Sequence, residues 1–505
     1  MPLISFGDVY RGYYKLNRKN FYPSSFSEQA MEQEQVLKEL VFNLAYTKYA
    51  KDKKVDFTIG DHYEILKSLP LVKYEDIASY IDMVWNGEES ILWPKKVTYF
   101  GKSSGTTNAK SKYIPVTAES IKDNHLQAGR DMLGVYLINN PDSKIGFDST
   151  MHIAGSLQDV NEKANTKAGD ISWILEENVP WWANLVYALP KEVLEIKSWS
   201  QRLPEVVKNL KDANVKVFTG TITWVHIILS ETVKKYGAQN ALELWPELEV
   251  FFHGAVSMKP YKKEFEKLIP KNNFHYVEVY NASEGFFAFQ DSLVSDSGML
   301  LLCGHGIFYE FINLKNKDIV TIKDLEIREK YEMIISTFSG LWRYRIGDVV
   351  EVVTVDPVRI KVAGRTQAVL NAYGEELMVG NVDEAIRNLN EKYDYDITEY
   401  TGAPIYKNEQ NKNDEHEWII EFGKIPDDKD KFIQDFDLEL NKLNSDYEAK
   451  RRGDLVLSIP KIHFTPTGTF YKWMESRGKT GGQNKVVRLS EDRTLIENLI
   501  EFLEK

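Results

Sequence analysis

Residues 276–285 have the sequence YVEVYNASEG and mark the point at which the pattern of the chain changes. Before this stretch, short runs rich in β-branched and aromatic residues alternate with stretches of helical periodicity, which indicates an α/β domain. The runs that predict strands in this region are 97–100, 215–219, 248–252 and 276–280. After the stretch, apolar runs follow one another closely, which predicts an antiparallel, barrel-like subdomain with strands near 299–303, 308–312, 331–337 and 349–355.

Helical patterning is present towards both ends of the chain. Residues 32–49 carry apolar side chains at spacings of three and four, which predicts an amphipathic helix. Glycines within 362–374 predict a connector that can act as a hinge. After this connector, a helix near 382–393 and strands near 418–422 and 455–459 predict a small α+β unit.

The length of the chain sets the number of domains. A chain of 505 residues exceeds the roughly 250 to 300 residues that one hydrophobic core organises, so at least two domains are expected. The expected fold class is α/β, with a large N-terminal α/β domain at 1–364 that contains the β-barrel-like subdomain. A smaller C-terminal α+β domain at 365–505 is expected to be joined to it by the hinge.

Composition argues against several classes of protein. A net charge of −12 is unsuited to a general nucleic-acid binder, which needs a surplus of Lys and Arg. Cys303 is the single cysteine, so an intramolecular disulfide and a cysteine metal cluster are excluded. No apolar run reaches the roughly 18 residues of a membrane helix, and residues 1–19 lack a signal-peptide pattern. We therefore expect a cytoplasmic protein with no membrane partner.

The first chemical motif is a loop of small hydroxyl residues at 103–107, SSGTT, which follows the predicted strand 97–100. Hydroxyls and converging backbone N–H groups supply the many donors that a triphosphate needs. The spacing differs from G-x-x-x-x-G-K-[ST], which disfavours a Walker-type ATPase. A polar turn that merely ends a strand is the alternative.

The second motif is the carboxyl end of the quoted stretch. Glu284 follows a predicted strand and could hold Mg²⁺, which prefers a few carboxylate oxygens together with substrate phosphates. Tyr280 offers a flat face for a purine. Residues 253–256, HGAV, also follow a predicted strand, and Gly254 and Ala255 there would let an adenine approach the backbone. Ordinary turns at the two strand ends are the alternative.

The third motif is 342–348, WRYRIGD, which leads into the predicted strand 349–355. The carboxylate of Asp348 could accept hydrogen bonds from both hydroxyls of a ribose. The alternative is a hairpin corner in which Gly347 and Asp348 supply the turn while Arg343 and Arg345 are surface charges.

Taken together and in this order, the motifs resemble the acyl-acid amido synthetases of the auxin-responsive Gretchen Hagen family, a branch of the adenylate-forming enzymes that includes acyl-CoA synthetases. The resemblance extends from 72–76 (VKYED) and 92–94 (LWP) to 482–488 (GQNKVVR), nearly the whole chain. It implies an ATP- and magnesium-dependent ligase that activates a carboxylic acid as an acyl-adenylate. The acyl group would then pass to an amine, with an amino acid as the expected acceptor.

The resemblance also implies roles for individual residues. Glu284 would bind magnesium and act in catalysis, and Asp348 would bind the ribose. Arg365 would lie in the hinge segment 364–366, and Lys485 would reach the phosphates from the C-terminal domain as a catalytic residue. The other cofactor-binding residues expected are Ser103, Ser104, Gly105, Thr106 and Thr107 in the loop, and Gly254, Ala255, Tyr280, Ala282 and Ser283 near the strand ends.

The sequence departs from the family pattern at two places. Ala109 stands where the phosphate loop of the family usually has glycine, and alanine largely restricts a turn to negative φ. Residues 374–376, GEE, follow the hinge where plant members commonly carry a lysine near the nucleotide. The acceptor preferences of those members therefore do not transfer directly.

The sequence leaves alternatives open for the acid, for the acceptor and for the activity. A thioester-forming acyl-CoA ligase would share the first half-reaction, and a catalytically inactive nucleotide-binding interaction protein would share only the fold. No obligate protein partner is evident. The acid pocket is expected in the N-terminal domain, although core packing is the alternative for most of its candidate residues, which are Leu126, Leu133, Trp181, Thr221, Trp224 and Val225.

Overall fold

A computed structural model describes residues 9, 10, 12, 16, 25–103, 112–146, 149–152, 155, 157–179, 185–194, 196, 199–255, 258, 261–294, 297–365, 369–393, 395–407, 414–454, 456–476 and 486–504. These residues divide into two units. Unit 1 comprises the described residues within Met1–Ser103, Tyr113–Ala255 and Lys262–Thr366; unit 2 comprises those within Ser104–Lys112, Val256–Tyr261 and Gln367–Lys505. The domain boundary between 364 and 365 stays a prediction.

The predicted helix at 32–49 is two helices. Helix α1, Phe26–Leu44, begins after Ser25, whose hydroxyl accepts a hydrogen bond from the backbone of the first turn. Helix α2, Lys48–Asp52, begins after Thr47, whose hydroxyl accepts a hydrogen bond from the Ala50 N–H at 3.1 Å. Because a threonine hydroxyl competes for backbone donors, it starts a new helix here instead of continuing the old one.

Two buried glutamines tie α1 to the strands beneath it. Gln29 donates through Nε2 to the carbonyl of Leu301 at 2.9 Å and accepts through Oε1 from the N–H of Val358 at 2.6 Å. Gln33 accepts through Oε1 from the N–H of Tyr309 at 2.9 Å. Buried amides are costly unless they are paired, so these bonds fix the position of α1 along the sheet.

Unit 1 contains fifteen of the described strands, which form two sheets. They are β1 Tyr99–Ser103, β2 Lys112–Val116, β3 Thr150–His152, β4 Leu157–Asn161, β5 Thr166–Gly169, β6 Val217–Thr221, β7 Val250–Gly254, β8 His275–Ala282, β9 Gly285–Phe289, β10 Met299–Leu301, β11 Ile307–Asn313, β12 Ile319–Val320, β13 Lys330–Thr337, β14 Tyr344–Val355 and β15 Val358–Arg365. The order is β2-β1-β5-β4 in one sheet and β12-β11-β13-β14-β15-β10-β9-β8-β7-β6-β3 in the other.

The helices of unit 1 lie mainly between its strands in the chain, as the α/β pattern predicted. After α2 they are α3 His62–Lys67, α4 Tyr74–Trp85, α5 Leu126–Asn139, α6 Ile171–Asn178, α7 Lys191–Leu194, α8 Trp199–Leu210, α9 Ile222–Tyr236 and α10 Lys262–Leu268. A π-helical turn, Ser120–His125, leads directly into α5.

The antiparallel strands predicted after 285 are part of the same sheet as the parallel strands. Strands β3, β6, β7 and β8 are parallel neighbours, and β8 then pairs antiparallel with β9, with Tyr280 opposite Ala288. The strand-rich region thus continues the parallel sheet through a hairpin, and that hairpin contains the stretch quoted first.

Unit 2 has the predicted α+β composition. Its elements are β16 Val369–Leu370, β17 Leu377–Met378, α11 Val379–Tyr393, β18 Ile397–Ile405, β19 Glu415–Phe422, α12 Lys429–Leu443, α13 Ser445–Arg451, β20 Lys461–Pro466, α14 Thr469–Ser476 and α15 Thr494–Leu503. Strand β19 pairs antiparallel with β18 and parallel with β20. Within the described parts of both units, no helix combines the length and hydropathy of a membrane span.

The prediction of a strand at 455–459 is wrong. The third strand of this sheet is β20, which begins at Lys461. Val456 and Leu457 are buried, and both donate backbone N–H bonds to the carbonyl of Lys450 at 3.3 and 3.0 Å. The Leu457 carbonyl accepts from Arg451 at 2.5 Å. These residues therefore form a buried loop bonded to the end of α13, and periodicity alone does not separate such a loop from a strand.

One acidic side chain of α1 lies in an unfavourable environment. Burial raises the pKa of Glu32 from 4.5 to about 7, although nearby His305 opposes the increase. The buried oxygen Oε2 of Glu32 has no hydrogen-bond partner among the described residues. His305 in turn lies with Nε2 2.8 Å from Oδ2 of Asp131, so the histidine is already engaged with another carboxylate.

We predict that Glu32 makes unit 1 less stable as the pH rises. The unfolded chain loses this proton near its ordinary pKa, whereas the folded protein keeps it to about 7. The free energy of unfolding should therefore fall between these values and stay reduced above them. Glu32→Gln should raise the melting temperature at about pH 8 by a few degrees relative to wild type, and by much less at about pH 4.

Thermal unfolding across pH tests this prediction, with Glu39→Gln as the control because Glu39 lies on the exposed face of α1. An equal effect of Glu32→Gln at both pH values would contradict it.

Candidate functional site

The turn between β8 and β9 carries the second motif. Ala282 is paired with Gly285, so Ser283 and Glu284 form the connection of a tight hairpin. A Cβ atom on Gly285 would lie 2.5 Å from Cδ1 of Ile307, so a larger residue here would require the Ile307 side chain to move. Glu284 is partly buried. The hairpin therefore holds a carboxylate at the end of β8, as the sequence predicted.

Strand β1, which leads into the first motif, lies against this turn. A Cβ atom on Gly101 would lie 2.6 Å from Cβ of Ser283, a separation that real side chains do not adopt. The backbone of β1 can approach the turn this closely because residue 101 is glycine. Ser103 is the last residue of β1. Four residues predicted to bind phosphate lie outside the described residues, and they are Ser104, Gly105, Thr106 and Thr107.

The third motif meets the second through Asp348. The hydroxyl of Tyr280 donates to Oδ2 of Asp348 at 2.6 Å, and Nε of Arg365 lies 3.0 Å from Oδ1 of the same carboxylate. Arg365 is opposite Asp348 in the β14–β15 ladder, and the backbone of Gly347 just before it has φ +87°. Residues predicted from the second motif and from the hinge segment thus both contact Asp348 of the third motif.

Tyr280 interacts through its hydroxyl and packs with its ring. Its side chain is buried, and its ring centroid lies 4.8 Å from that of Phe287. Burial and the neighbouring Asp348 raise the pKa of Tyr280 well above its ordinary value, so the hydroxyl keeps its proton and acts as a donor. The predicted contact between its ring and a purine stays a prediction.

The two arginines of the third motif are structural. Arg343 is buried and forms two hydrogen bonds with the carboxylate of Glu310, at 2.9 and 2.8 Å. Arg345 pairs in the same two-point manner with Glu332, at 2.8 and 2.7 Å. Strand β14 also continues past Gly347 to Val355, with a shift of its register against β13 at this glycine. The alternative of a hairpin corner with surface arginines is therefore wrong.

Gly254 and Ala255 lie at the carboxyl end of β7, next to β8. A Cβ atom on Gly254 would lie 2.4 Å from the carbonyl oxygen of Val279, and Ala255 has φ +71°. Thr221 at the end of β6 is paired with Gly254. Ligands of open α/β sheets bind outside the carboxyl ends of such strands, so these residues have the expected position.

The candidate residues of the acid pocket do not form one group. Leu126 packs with a cluster around Ile121 and Ile174, whereas Leu133 packs with a different cluster around Phe252. Val225 is buried in the core. Trp181 lies outside the described residues, as does Lys485.

Unit 2 contains a buried pair that the sequence did not indicate. Nε2 of His416 lies 2.8 Å from Oε1 of Glu375, and Oε2 of Glu375 accepts a hydrogen bond from the Tyr373 N–H at 2.7 Å. Gly374, which lies between Tyr373 and Glu375 in the chain, has a backbone φ of +83°. Glu375 is one of the residues that depart from the family pattern, and here it stabilises its own loop.

Three sequence models of one family match the chain. The GH3 family N-terminal domain matches residues 24–274, the central domain 300–365 and the C-terminal domain 380–494. The chain belongs to the GH3 family. The resemblance inferred from the three motifs is confirmed, because GH3 is the Gretchen Hagen family named above.

Similar GH3 proteins are plant enzymes. Indole-3-acetic acid-amido synthetase GH3.4 of Arabidopsis thaliana is 21% identical over 90% of this chain and 88% of its own length. The 4-substituted benzoates-glutamate ligase GH3.12 of the same plant is 22% identical over 63% of this chain and 65% of its own length.

Solved structures of GH3 and related ligases share the fold. The GH3.15 acyl acid amido synthetase in complex with 2,4-DB has a TM-score of 0.58 at 18% identity, covering 97% of this chain and 96% of its own. The 2-hydroxyisobutyryl-CoA ligase in complex with 2-HIB-AMP and CoA has a TM-score of 0.59 at 13% identity, covering 94% and 92%. The predicted large N-terminal and smaller C-terminal domains are thereby confirmed.

Proposed function

We propose that this GH3 protein is a ligase that uses ATP to convert a carboxylic acid into an acyl-adenylate and then transfers the acyl group to an amine. The observations that support the proposal are the contact between the second and third motifs and the approach of the strand that leads into the first. Gly101 contacts the Ser283–Glu284 turn, and Tyr280 and Arg365 both engage Asp348. Membership of a family of acyl acid amido synthetases supports the same conclusion.

The acceptor is proposed to be an amino acid. The names of two relatives, an indole-3-acetic acid-amido synthetase and a benzoates-glutamate ligase, describe amide formation on aromatic acids. Both relatives are only about one-fifth identical to this chain. The proposal therefore extends to the class of acceptor and leaves the acid itself open.

The donor set around Glu284 fits magnesium. Among the described residues, no cluster of three or more His, Cys, Asp or Glu side chains could hold a metal by itself. Mg²⁺ commonly uses one or two carboxylates and completes its shell with waters and substrate phosphates, so a single Glu284 suits it. Magnesium held there would offset the negative charge that develops on the phosphates.

Asp348 is proposed to bind the ribose. Tyr280 and Arg365 hold the plane of its carboxylate, and a preoriented acceptor binds a hydroxyl at a smaller entropic cost than a mobile one. The backbone around Gly254 and Ala255, together with Ala282, is proposed to lie beside the adenine. Ser103 and the loop that follows are proposed to contact the phosphates.

In the first half-reaction an oxygen of the substrate carboxylate would attack the α-phosphorus, and the bond to pyrophosphate would break. In the second, the amine nitrogen would attack the acyl carbon, the bond to the AMP oxygen would break, and the nitrogen would lose a proton. Both steps bring charged or polar partners together, so positioning would supply much of the rate enhancement. Motion of the C-terminal domain about the segment near Arg365 is proposed to separate the two steps.

A thioester-forming ligase is the second candidate function. The fold shared with 2-hydroxyisobutyryl-CoA ligase favours it. The two candidate activities would share adenylation and differ only in the acceptor of the second half-reaction. Supplying coenzyme A or amino acids to the adenylated enzyme would distinguish the two activities.

A screen of carboxylic acids with hydroxylamine as acceptor tests adenylation without the natural amine. Hydroxamate should form with at least one acid and only in the presence of ATP. Failure with every acid, together with absent pyrophosphate exchange, would overturn the proposed activity and favour an inactive nucleotide-binding protein.

We predict that Tyr280→Phe weakens the binding of ATP more than that of the acid. The change removes the hydrogen bond that orients the Asp348 carboxylate, which is present with and without ATP. Binding of the ribose must then order this side chain, at a cost of about 1 kcal/mol. The KM for ATP should rise about fivefold, while the KM for the acid stays within about twofold.

Steady-state kinetics measure both constants. Tyr309→Phe is the matched control, since this buried hydroxyl donates to the carbonyl of Leu302 in the same unit. Equal increases in both KM values for Tyr280→Phe would indicate a purely structural hydrogen bond.

We predict that Lys485→Met separates the two half-reactions. An ammonium group that meets the α-phosphate only during adenylation would stabilise that transition state and have little part in transfer. Adenylation should slow by roughly 10²-fold or more, whereas transfer from supplied acyl-adenylate should stay within about threefold. Single-turnover rates of each step decide the matter, and equal slowing of both would show that Lys485 lacks this role.

A further inference from the structure

Asn124 connects the π-helical turn Ser120–His125 to the hairpin that carries Glu284. Its side chain is buried, with 1% of its surface exposed. Its Oδ1 accepts a hydrogen bond from the Phe286 N–H at 2.7 Å, and its Nδ2 donates to the Phe286 carbonyl at 3.0 Å. Nδ2 also donates to the carbonyl of His305 at 2.9 Å. One side chain therefore holds both backbone groups of a residue two positions after Glu284.

Asn124 bonds to β9 at the point where pairing with β10 has ended. Strand β10 pairs with β9 as far as Leu301 opposite Ala288, and the Leu302 N–H then donates to the carbonyl of Phe287 at 2.9 Å. The next residue of β9, Phe286, has no strand partner on this edge and is bound by Asn124 instead. Buried backbone groups must be paired, so the amide completes the ladder where β10 has ended.

The local packing is specific for an asparagine. Two donated bonds and one accepted bond are made at once, which a primary amide provides and a carboxylate or an aliphatic side chain does not. Gly285 lies next to this amide, since a Cβ atom on it would be in ordinary van der Waals contact with Oδ1 of Asn124 at 3.4 Å. The side chain thus fits the strand end beside the Ser283–Glu284 turn.

We propose that Asn124 is a positioning residue that fixes Glu284 for magnesium. This inference rests on the proposed function. Contacts hold the Ser283–Glu284 turn at both ends, with Gly101 packed against Ser283 and Asn124 bound to Phe286. Asn124 also follows β2, the strand that comes after the predicted phosphate loop in the chain. Asn124 therefore connects the segment after that loop to the hairpin of Glu284. The Glu284 carboxylate would share a magnesium ion with the phosphates.

The test is the binding of ATP at a series of Mg²⁺ concentrations, measured by calorimetry without any acid, so that no turnover occurs. Asn124→Leu removes all three hydrogen bonds, keeps the number and branching of the side-chain heavy atoms and adds no charge. It should raise the Mg²⁺ concentration for half-maximal ATP binding by about tenfold or more. A decrease in metal affinity of this size is typical when a residue that supports a metal ligand is removed. ATP binding without magnesium should change by less than about twofold.

Asn381→Leu is the matched control. Asn381 is an equally buried asparagine of unit 2, whose amide donates to the Leu443 carbonyl at 3.1 Å and accepts from the Met378 N–H at 3.0 Å. Asn381→Leu should leave the magnesium dependence of ATP binding unchanged. A second measurement, amide hydrogen exchange of residues 280–289 in metal-free protein, should show faster exchange in Asn124→Leu than in Asn381→Leu.

The outcomes separate this inference from the proposed function. Wild-type protein that binds ATP independently of magnesium, or not at all, overturns both. A magnesium-dependent wild type with an unchanged Asn124→Leu overturns the role of Asn124 alone, as does an equal shift in Asn381→Leu. Should Asn124→Leu fail to fold, Asn124→Ser, which keeps one donor and one acceptor, takes its place and should show a smaller shift of the same sign.

Discussion

The close approach of β1 to the β8–β9 turn is the constraint on which the site depends. Gly101 and Ser283 lie so near one another that no side chain fits at position 101. Because this contact joins the end of β1 to the end of β8, it sets the distance between the start of the hydroxyl-rich loop and Glu284. The bond from Tyr280 to Asp348 then links β8 to β14. Two short-range interactions thus bring together residues that are far apart in the chain.

The frame around these contacts is held by paired polar groups as well as by apolar packing. Gln29 and Gln33 fix α1 to the strands, and Arg343 bonds to Glu310 and to the carbonyl of Leu69 at 2.8 Å. Directional bonds of this kind permit one arrangement where apolar contacts would permit several. A site that must hold a carboxylate within hydrogen-bonding distance benefits from such a frame.

Much of the architecture followed from the sequence because apolar periodicity and strand-end motifs are local signals. The strands that carry Tyr280 and Asp348 were predicted close to their observed positions, and the meeting of these residues agrees with the family resemblance. The failures had non-local causes. Val456 and Leu457 are buried in a loop whose backbone bonds to Lys450, and the helix predicted over 32–49 divides at Thr47, whose hydroxyl caps the second helix. Asn124 was missed because a single polar residue has no pattern, and its partners lie at Phe286 and His305.

The buried Arg343–Glu310 pair restricts how this region can change during evolution. Loss of either partner alone would leave a charge in the interior without its counterpart, which is costly, whereas replacement of both by apolar residues is tolerated in many proteins. Viable descendants would therefore keep both residues or exchange both within a short interval. Positions 310 and 343 should covary among relatives even though neither is proposed to touch a substrate. An invariant arginine at position 343 would then reflect the stability of the scaffold and carry no information about which acid the enzyme activates.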